Sequence, residues 1–112
     1  MSAELRTDIW VAALLRRAQM AGAGAVVARR GDREAGAVLV KVARMDGTGS
    51  LFGPALGPDG RRIWLDLTSL AGGPSEPALD TYVARRCSQD DDLWIVEIED
   101  PQGRSFLVDR ID

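Results

Sequence analysis

Tight turns separate most of the apolar segments in this chain, and they constrain its fold more than any other feature does. A short link between two strands makes them antiparallel neighbours, whereas parallel strands need a crossover of a dozen or more residues. Glycine-containing turns occur at residues 31–36, 46–47, 57–60 and 100–103. Their spacing predicts a mostly antiparallel sheet.

Six segments between these turns have the composition of β-strands. Valine, isoleucine and leucine dominate most of them, as expected for side chains that pack on a pleated surface. The first two segments flank a polar loop bounded by glycines, which predicts a β-hairpin. The predicted strands are residues 25–30, residues 37–44, a third that starts at Ser50, and residues 62–67, 93–99 and 104–109.

Two further segments have the apolar spacing of amphipathic helices. In the first, for which Thr7 is the predicted N-cap, the apolar positions are Val11, Leu14, Leu15 and Ala18. The second opens at Ser75-Glu76-Pro77, and its apolar positions are Leu79, Tyr82, Val83 and Cys87. We therefore predict one α+β domain over residues 1–112, in the order α-β-β-β-β-α-β-β. Its mostly antiparallel sheet of about six strands has both helices packed on one face.

The absence of histidine and the single cysteine exclude several functional classes. Without histidine the chain has no Ser-His-Asp or Cys-His machinery and no histidine-containing zinc site. Cys87 alone forms no internal disulfide, which fits a reducing compartment. The N-terminal residues lack a secretory signal pattern, and no apolar stretch approaches the roughly 20 residues of a membrane span. We expect a cytoplasmic protein without membrane contact and without a cofactor.

Carboxylates are the groups through which metal chemistry remains possible. Glu97 and Glu99 share one face of a predicted strand, Asp100 follows them, and residues 90–92 are all aspartate. Oxygen ligands suffice for Mg²⁺ or Mn²⁺, so a metal-dependent hydrolase or nuclease is an alternative function. Lys41, the single lysine, would join such a site only if the topology brought its strand close. Alternatively, the same acidic residues lie on a face of the sheet that is exposed to solvent and bind no metal.

The basic residues are almost all arginine, and they are unevenly distributed. Ten of the fourteen lie in residues 1–62, whereas eleven of the seventeen acidic residues lie in residues 63–112. Such asymmetry favours a partner of opposite charge or a second copy of the chain. Convergent arginines can also bind RNA. Most nucleic-acid-binding proteins, however, are basic, whereas this chain has a net charge of −3. RNA binding is therefore a further alternative, and nucleic acid is not the expected partner.

Tryptophan and arginine together supply a candidate interface. Trp64 alternates out of phase with its apolar strand neighbours, which predicts that it lies on the less buried face of the sheet. Exposed tryptophan beside arginine is typical of interface hot spots. The leading hypothesis is a non-catalytic binding or regulatory module that acts through a protein partner or self-association. The predicted interface residues are Trp64, Trp94, Arg29, Arg30, Arg85 and Arg86.

Three segments taken together are similar to a known family. They are residues 8–17, residues 27–42 and residues 92–100. The family they resemble comprises uncharacterised alphaproteobacterial proteins, domain of unknown function number 1491, and the resemblance covers nearly the whole chain. It implies a bacterial, cytoplasmic, stand-alone domain, and it brings no activity and no assigned site residues.

Overall fold

The helices and the first five strands follow the predicted order in a computed structural model, which describes residues 5–109 and 111–112. The elements are α1 (Thr7–Met20), β1 (Gly24–Arg29), β2 (Val38–Ala43), β3 (Gly49–Leu56), β4 (Arg62–Asp66), α2 (Glu76–Gln89) and β5 (Trp94–Glu99). Helix α2 opens at Ser75-Glu76-Pro77 as predicted, and Ser75 caps it, because its hydroxyl accepts a hydrogen bond from the Ala78 N–H. No helix in the described part of the chain has the length and apolarity needed to cross a bilayer.

The five strands form one mixed sheet in the order β1-β5-β2-β3-β4. Strand β5 is antiparallel to β1 and parallel to β2, so it separates the two strands that the sequence pairs in a hairpin. The predicted hairpin is therefore wrong. Strand β2 is buried along most of its length, and a buried strand needs a hydrogen-bonded neighbour on each side. Strand β3 supplies one neighbour, and β5 supplies the other.

Two glycines let the loop between β1 and β2 pack against the start of β5. A Cβ atom at Gly31 or Gly36 would meet the carbonyl oxygen of Asp92 well inside van der Waals contact. Thr7 is the first residue of α1 rather than its predicted cap, and its hydroxyl donates to the Gly36 carbonyl at 2.8 Å. The loop thus joins the start of α1 to the start of β5.

The two helices cover opposite faces of the sheet. Val11 and Leu14 of α1 pack in one core cluster with Val40, and Leu79 of α2 packs in another with Leu39. Consecutive residues of a strand point to opposite faces, so the predicted arrangement of both helices on one face is wrong. A sheet whose central strands are apolar at consecutive positions has to be covered on both sides.

Residues 104–109 form no strand, which corrects the prediction of a sixth. Both sides of β5 are already paired, so the segment after it crosses the face that carries α1. There the Arg17 guanidinium donates to the Phe106 carbonyl at 3.0 Å. The chain then reaches β4, where the Asp112 N–H donates to the Trp64 carbonyl at 2.7 Å. The C-terminal residues thereby cover the outer edge of β4.

Candidate functional site

The two edges of the sheet differ in how they are covered. Ile111 forms a parallel bridge with Trp64 at the edge of β4, whereas β1 pairs with β5 and has no strand on its outer side among the described residues. The Gln19 side-chain amide donates to the outward carbonyl of Ala25 at 3.1 Å. Because backbone groups alternate in direction along a strand, the N–H of Val27 also points outward. Gln19 thus occupies one outward acceptor, while no described residue pairs with the outward N–H of Val27 on the open edge of β1.

Exposed side chains flank this edge on the face that carries α2. Val26 is 55% exposed and lies in register with Glu97, while Gly24 lies in register with Glu99. Helix α2 lies mainly over β2 and β3, away from these residues. Neither glutamate forms an ion pair or a side-chain hydrogen bond with any described residue. We call Gly24, Val26, Glu97, Glu99 and the outward backbone of β1 the β1 edge surface.

Lys41 borders this surface on the side of β2. The parallel register places it beside Glu97, so the topology does bring the single lysine next to the acidic strand. Its ammonium is nevertheless held by α2, at 2.6 Å from Asp80 Oδ1 and 3.0 Å from Glu76 Oε1. Burial lowers the pKa of Lys41, but the hydrogen bonds with both carboxylates outweigh this effect and raise it. Lys41 is therefore a paired cation, and its ion pairs join α2 to the sheet.

Asp100, the third carboxylate of the alternative metal hypothesis, is held by Arg104. Its side chain is buried and accepts hydrogen bonds from the backbone N–H and the Nε of Arg104, both at 2.8 Å. The hydrogen bond from the Arg104 side chain lowers the pKa of Asp100 to about 2. The described residues contain no group of three acidic or cysteine side chains arranged to hold a metal ion. The described residues therefore form no ligand set for the alternative metal site.

The Asp100–Arg104 pair predicts a specific dependence of stability on pH. A carboxyl whose pKa is depressed in the folded state stabilises the fold above its unfolded pKa, and this contribution is lost as the pH falls. The window runs from near the ordinary value of 3.8 down to about 2. We expect the unfolding free energy of the wild-type chain to fall more steeply through this window than that of Asp100→Asn. Urea denaturation at a series of pH values measures both, and equal slopes would contradict the prediction.

Two of the predicted interface arginines form hydrogen bonds within the chain. Arg29 Nη1 donates to the Leu93 carbonyl at 2.7 Å and to the Asp90 carbonyl at 3.0 Å, which ties the end of β1 to the segment before β5. Arg86 Nη1 donates to the Tyr82 hydroxyl at 3.1 Å. These contacts give both guanidinium groups a structural role.

The other two arginines are exposed and lie over aromatic rings. The Arg30 guanidinium is 5.5 Å from the centre of the Trp94 ring, and that of Arg85 is 5.4 Å from the Tyr82 ring. An exposed cation over an aromatic face gains modest electrostatic stabilisation. Arg30 directly follows β1, and its guanidinium lies on the α1 side of the sheet, where Trp94 packs.

Both predicted interface tryptophans are buried. Trp64 is 1% exposed and Trp94 is 2% exposed, so the prediction that Trp64 lies on a less buried face is wrong. Helix α1 covers that face, and Trp10 stacks on Trp64 with the ring centres 5.2 Å apart. The indole N–H of Trp94 donates to the Asp32 carbonyl at 2.7 Å. Both rings belong to the core of the protein and offer no surface to a partner.

A cavity of about 30 Å³ lies beside Trp64, between the start of α1, the loop before β2 and the β3–β4 hairpin. Trp10, Val38 and Pro54 contribute apolar walls. The Trp64 indole N–H has no hydrogen-bond partner among the described residues. This volume is about a tenth of the roughly 300 Å³ at which pockets for small-molecule ligands usually begin, so we assign no metabolite to the cavity.

Gly24 and Val26, which flank the open edge, are not predicted as site residues by the sequence. No local pattern marks them, because a strand becomes an edge only through the pairing of the whole sheet. An exposed valine in the middle of a valine-rich strand has the same local sequence as a buried one.

One family model matches residues 5–108 of the chain, and its description is "Protein of unknown function (DUF1491)". No curated protein matches the chain. The family description names no activity, ligand or partner.

Solved structures of similar proteins share the fold along nearly the whole chain. A crystal structure of a DUF1491 family protein from Caulobacter crescentus CB15 is 51% identical with a TM-score of 0.90, and it covers 97% of this chain and 100% of that one. An NMR structure of a DUF1491 family protein from the same organism is 50% identical with a TM-score of 0.86, covering 99% of each chain. The solution structure of protein Atu0922 from A. tumefaciens is 30% identical with a TM-score of 0.74, covering 96% of this chain and 98% of that one.

Proposed function

We propose that the chain, which belongs to the DUF1491 family of proteins of unknown function, is a non-catalytic protein-binding module. In this proposal the β1 edge surface accepts an extended segment of a protein partner as an additional strand. The observation that carries the proposal is the open outer edge of β1 with the exposed side chain of Val26 beside it.

An open edge strand with these properties suits strand addition. Unpaired N–H and C=O groups are a template for a further strand, and proteins protect edges that bind nothing with charges, proline or bulges. The regular part of β1, residues 24–27, contains glycine, alanine and valine alone, and its irregularity comes later, between Val27 and Arg29. Peptide-binding domains use such an edge for affinity and the adjacent side chains for specificity.

The charges around the edge favour a different protein over a second copy of this chain. If two β1 strands paired around Val26, the Glu97 and Glu99 side chains of both copies would face the same side of the joined sheet. Four carboxylates on one face repel one another. A partner without these acids avoids the repulsion.

The predicted arginines contribute to the proposal in different ways. We place Arg30 at the rim of the binding surface, since it is exposed and continues directly from β1. Arg29 supports the surface by fixing the backbone beside β1, whereas Arg86 holds Tyr82 within α2, away from the surface. We also place the protein in the bacterial cytoplasm, which the single free cysteine, Cys87, and the family resemblance support.

Removing an outward backbone donor tests the proposal. Val27→Pro deletes an N–H that points away from β5, and proline is tolerated on an edge strand at such a position. We expect peptides selected from a displayed random library on the wild-type chain to bind Val27→Pro at least tenfold more weakly. The matched control is Val27→Ala, which keeps the N–H and shortens the side chain. Fluorescence anisotropy measures the dissociation constants.

A second variant covers the case in which Val27→Pro fails to fold. Val26→Lys places a charge on the edge, and we expect it to weaken the same peptides while the control Val26→Thr keeps their binding. A library without enriched peptides, or equal binding by all four variants, would contradict the proposal. So would a wild-type dimer in sedimentation equilibrium that Val26→Lys dissociates, since a second copy would then occupy the edge.

A further inference from the structure

We infer that the segment bound at the β1 edge surface is basic, with a lysine or arginine two residues from an apolar residue. This partner chemistry rests on the proposed function, because it concerns the strand that would pair with β1. The apolar residue lies opposite Val26, and the basic residue lies opposite Gly24 on the same face of the sheet.

Gly24 provides the path between the added strand and Glu99. Neighbouring strands lie about 4.8 Å apart, so an added strand is separated from β5 by roughly 9.6 Å. A lysine or arginine side chain spans this distance only if no side chain stands between. Gly24 carries none, and a Cβ atom built there would lie 3.5 Å from the Cβ of Glu99. A side chain of the added strand can therefore pass over Gly24 and reach Glu99.

No cation among the described residues pairs with the carboxylates beside this path. Glu97 is half-buried, Glu99 is exposed, and neither is paired with any described residue. Lys41, the neighbour of Glu97 in the sheet, is committed to Asp80 and Glu76. Arg29, which is in register with Ile95 further along β5, donates to two backbone carbonyls. A basic side chain on the added strand supplies the missing positive charge, whereas an acidic one would be repelled.

The same charges disfavour a nucleic-acid ligand at this surface. Phosphate groups would approach the Glu97 and Glu99 carboxylates, and like charges at close range cost binding free energy. Arg30 is the exposed cation that directly follows β1. A protein segment with its own lysine or arginine fits both the backbone edge and the charge.

Two synthetic nine-residue peptides test the inference. Both alternate valine and threonine. Two of the valines are replaced by lysine in one peptide and by serine in the other, so the replaced residues share a face with the remaining valines. We expect the lysine peptide to bind the wild-type chain about fivefold more tightly at low ionic strength, and the preference to shrink in 0.5 M salt. In the double variant Glu97→Gln/Glu99→Gln, the preference for lysine is lost while the affinity for the serine peptide is unchanged.

Two further variants separate the path from general charge effects. Gly24→Thr keeps both glutamates and fills the gap between them and the edge, so we expect it to reduce the preference for the lysine peptide. Glu34→Gln removes a carboxylate from the exposed loop before β2 and should leave the preference unchanged.

The possible failures are distinguishable. Equal binding of both peptides to the wild-type chain would overturn the inference and leave the proposed strand addition intact. A lysine preference that survives in Glu97→Gln/Glu99→Gln would also overturn it, because other acids would then be responsible. If neither peptide binds and the displayed library yields none, the proposed function itself fails.

Discussion

Replacement of Trp64 by alanine is expected to lower the unfolding free energy by about 3 to 5 kcal/mol. The side chain is 1% exposed and packs against Trp10 in the core on the α1 side of the sheet. Its removal leaves a large cavity that the sheet and α1 fill only partly. Single domains are stable by about 5 to 15 kcal/mol, so the loss is a large fraction of the total. Urea denaturation followed by far-ultraviolet circular dichroism measures it.

Phenylalanine variants provide the control for this prediction. Trp64→Phe keeps an aromatic ring and removes an indole N–H that has no partner among the described residues. Trp94→Phe removes the same atoms but also breaks the hydrogen bond to the Asp32 carbonyl. We expect Trp94→Phe to cost about 1 kcal/mol more than Trp64→Phe. A loss below about 1 kcal/mol for Trp64→Ala would contradict the assignment of this ring to the core.

Replacement of Gly36 by alanine is expected to destabilise the fold by about 3 kcal/mol. The new Cβ atom would press on the carbonyl oxygen of Asp92 and lie 2.9 Å from that of Asp32, so two stretches of backbone have to move apart. The Thr7 hydroxyl, which donates to the Gly36 carbonyl, would lose its geometry as well. The change in thermal unfolding midpoint and the urea denaturation curve both measure the effect.

Gly24→Ala is the matched control for Gly36→Ala. Its Cβ atom meets the Cβ of Glu99 at 3.5 Å, an ordinary contact distance. Alanine also restricts the unfolded chain more than glycine does, so we expect this variant to be neutral or slightly stabilising. Equal stability losses in the two variants would mean that the contact between the loop and the start of β5 does not constrain residue 36.

Local sequence was sufficient to predict the helices and most strands. The apolar spacing of Val11, Leu14 and Ala18 gave α1, and Ser75 gave the start of α2, because caps and helical periodicity involve residues a few positions apart. Turn residues likewise located β3 and β4. These elements depend on interactions within one segment, which a single sequence records directly.

The strand pairing was not predictable by the same means. Nothing in the residues 25–30 or 37–44 indicates that a strand more than fifty positions later inserts between them. The prediction that Trp64 lies on a less buried face was wrong for a related reason. Alternation distinguishes a buried from an exposed face only when one face is exposed, and here helices cover both.

The candidate site was predicted only in part. Glu97 and Glu99 were correctly placed on one face of a strand, although as alternative metal ligands. Their position beside an open edge depends on β1 being the outermost strand, which follows from the insertion of β5. The arginines were predicted as interface residues, whereas Arg29 and Arg86 form hydrogen bonds within the chain.

The position of β5 in the sheet also determines when the protein is able to fold during synthesis. Strands β1 and β2 are made early, but the strand that both of them pair with is the last to leave the ribosome. Until then, the nascent chain carries two valine-rich strands without their neighbour. Pairing over long sequence distances slows folding, and unpaired apolar strands promote aggregation. Synthesis that stops before residue 94 would therefore yield a product that aggregates and lacks the strand between β1 and β2, whatever the stability of its helices.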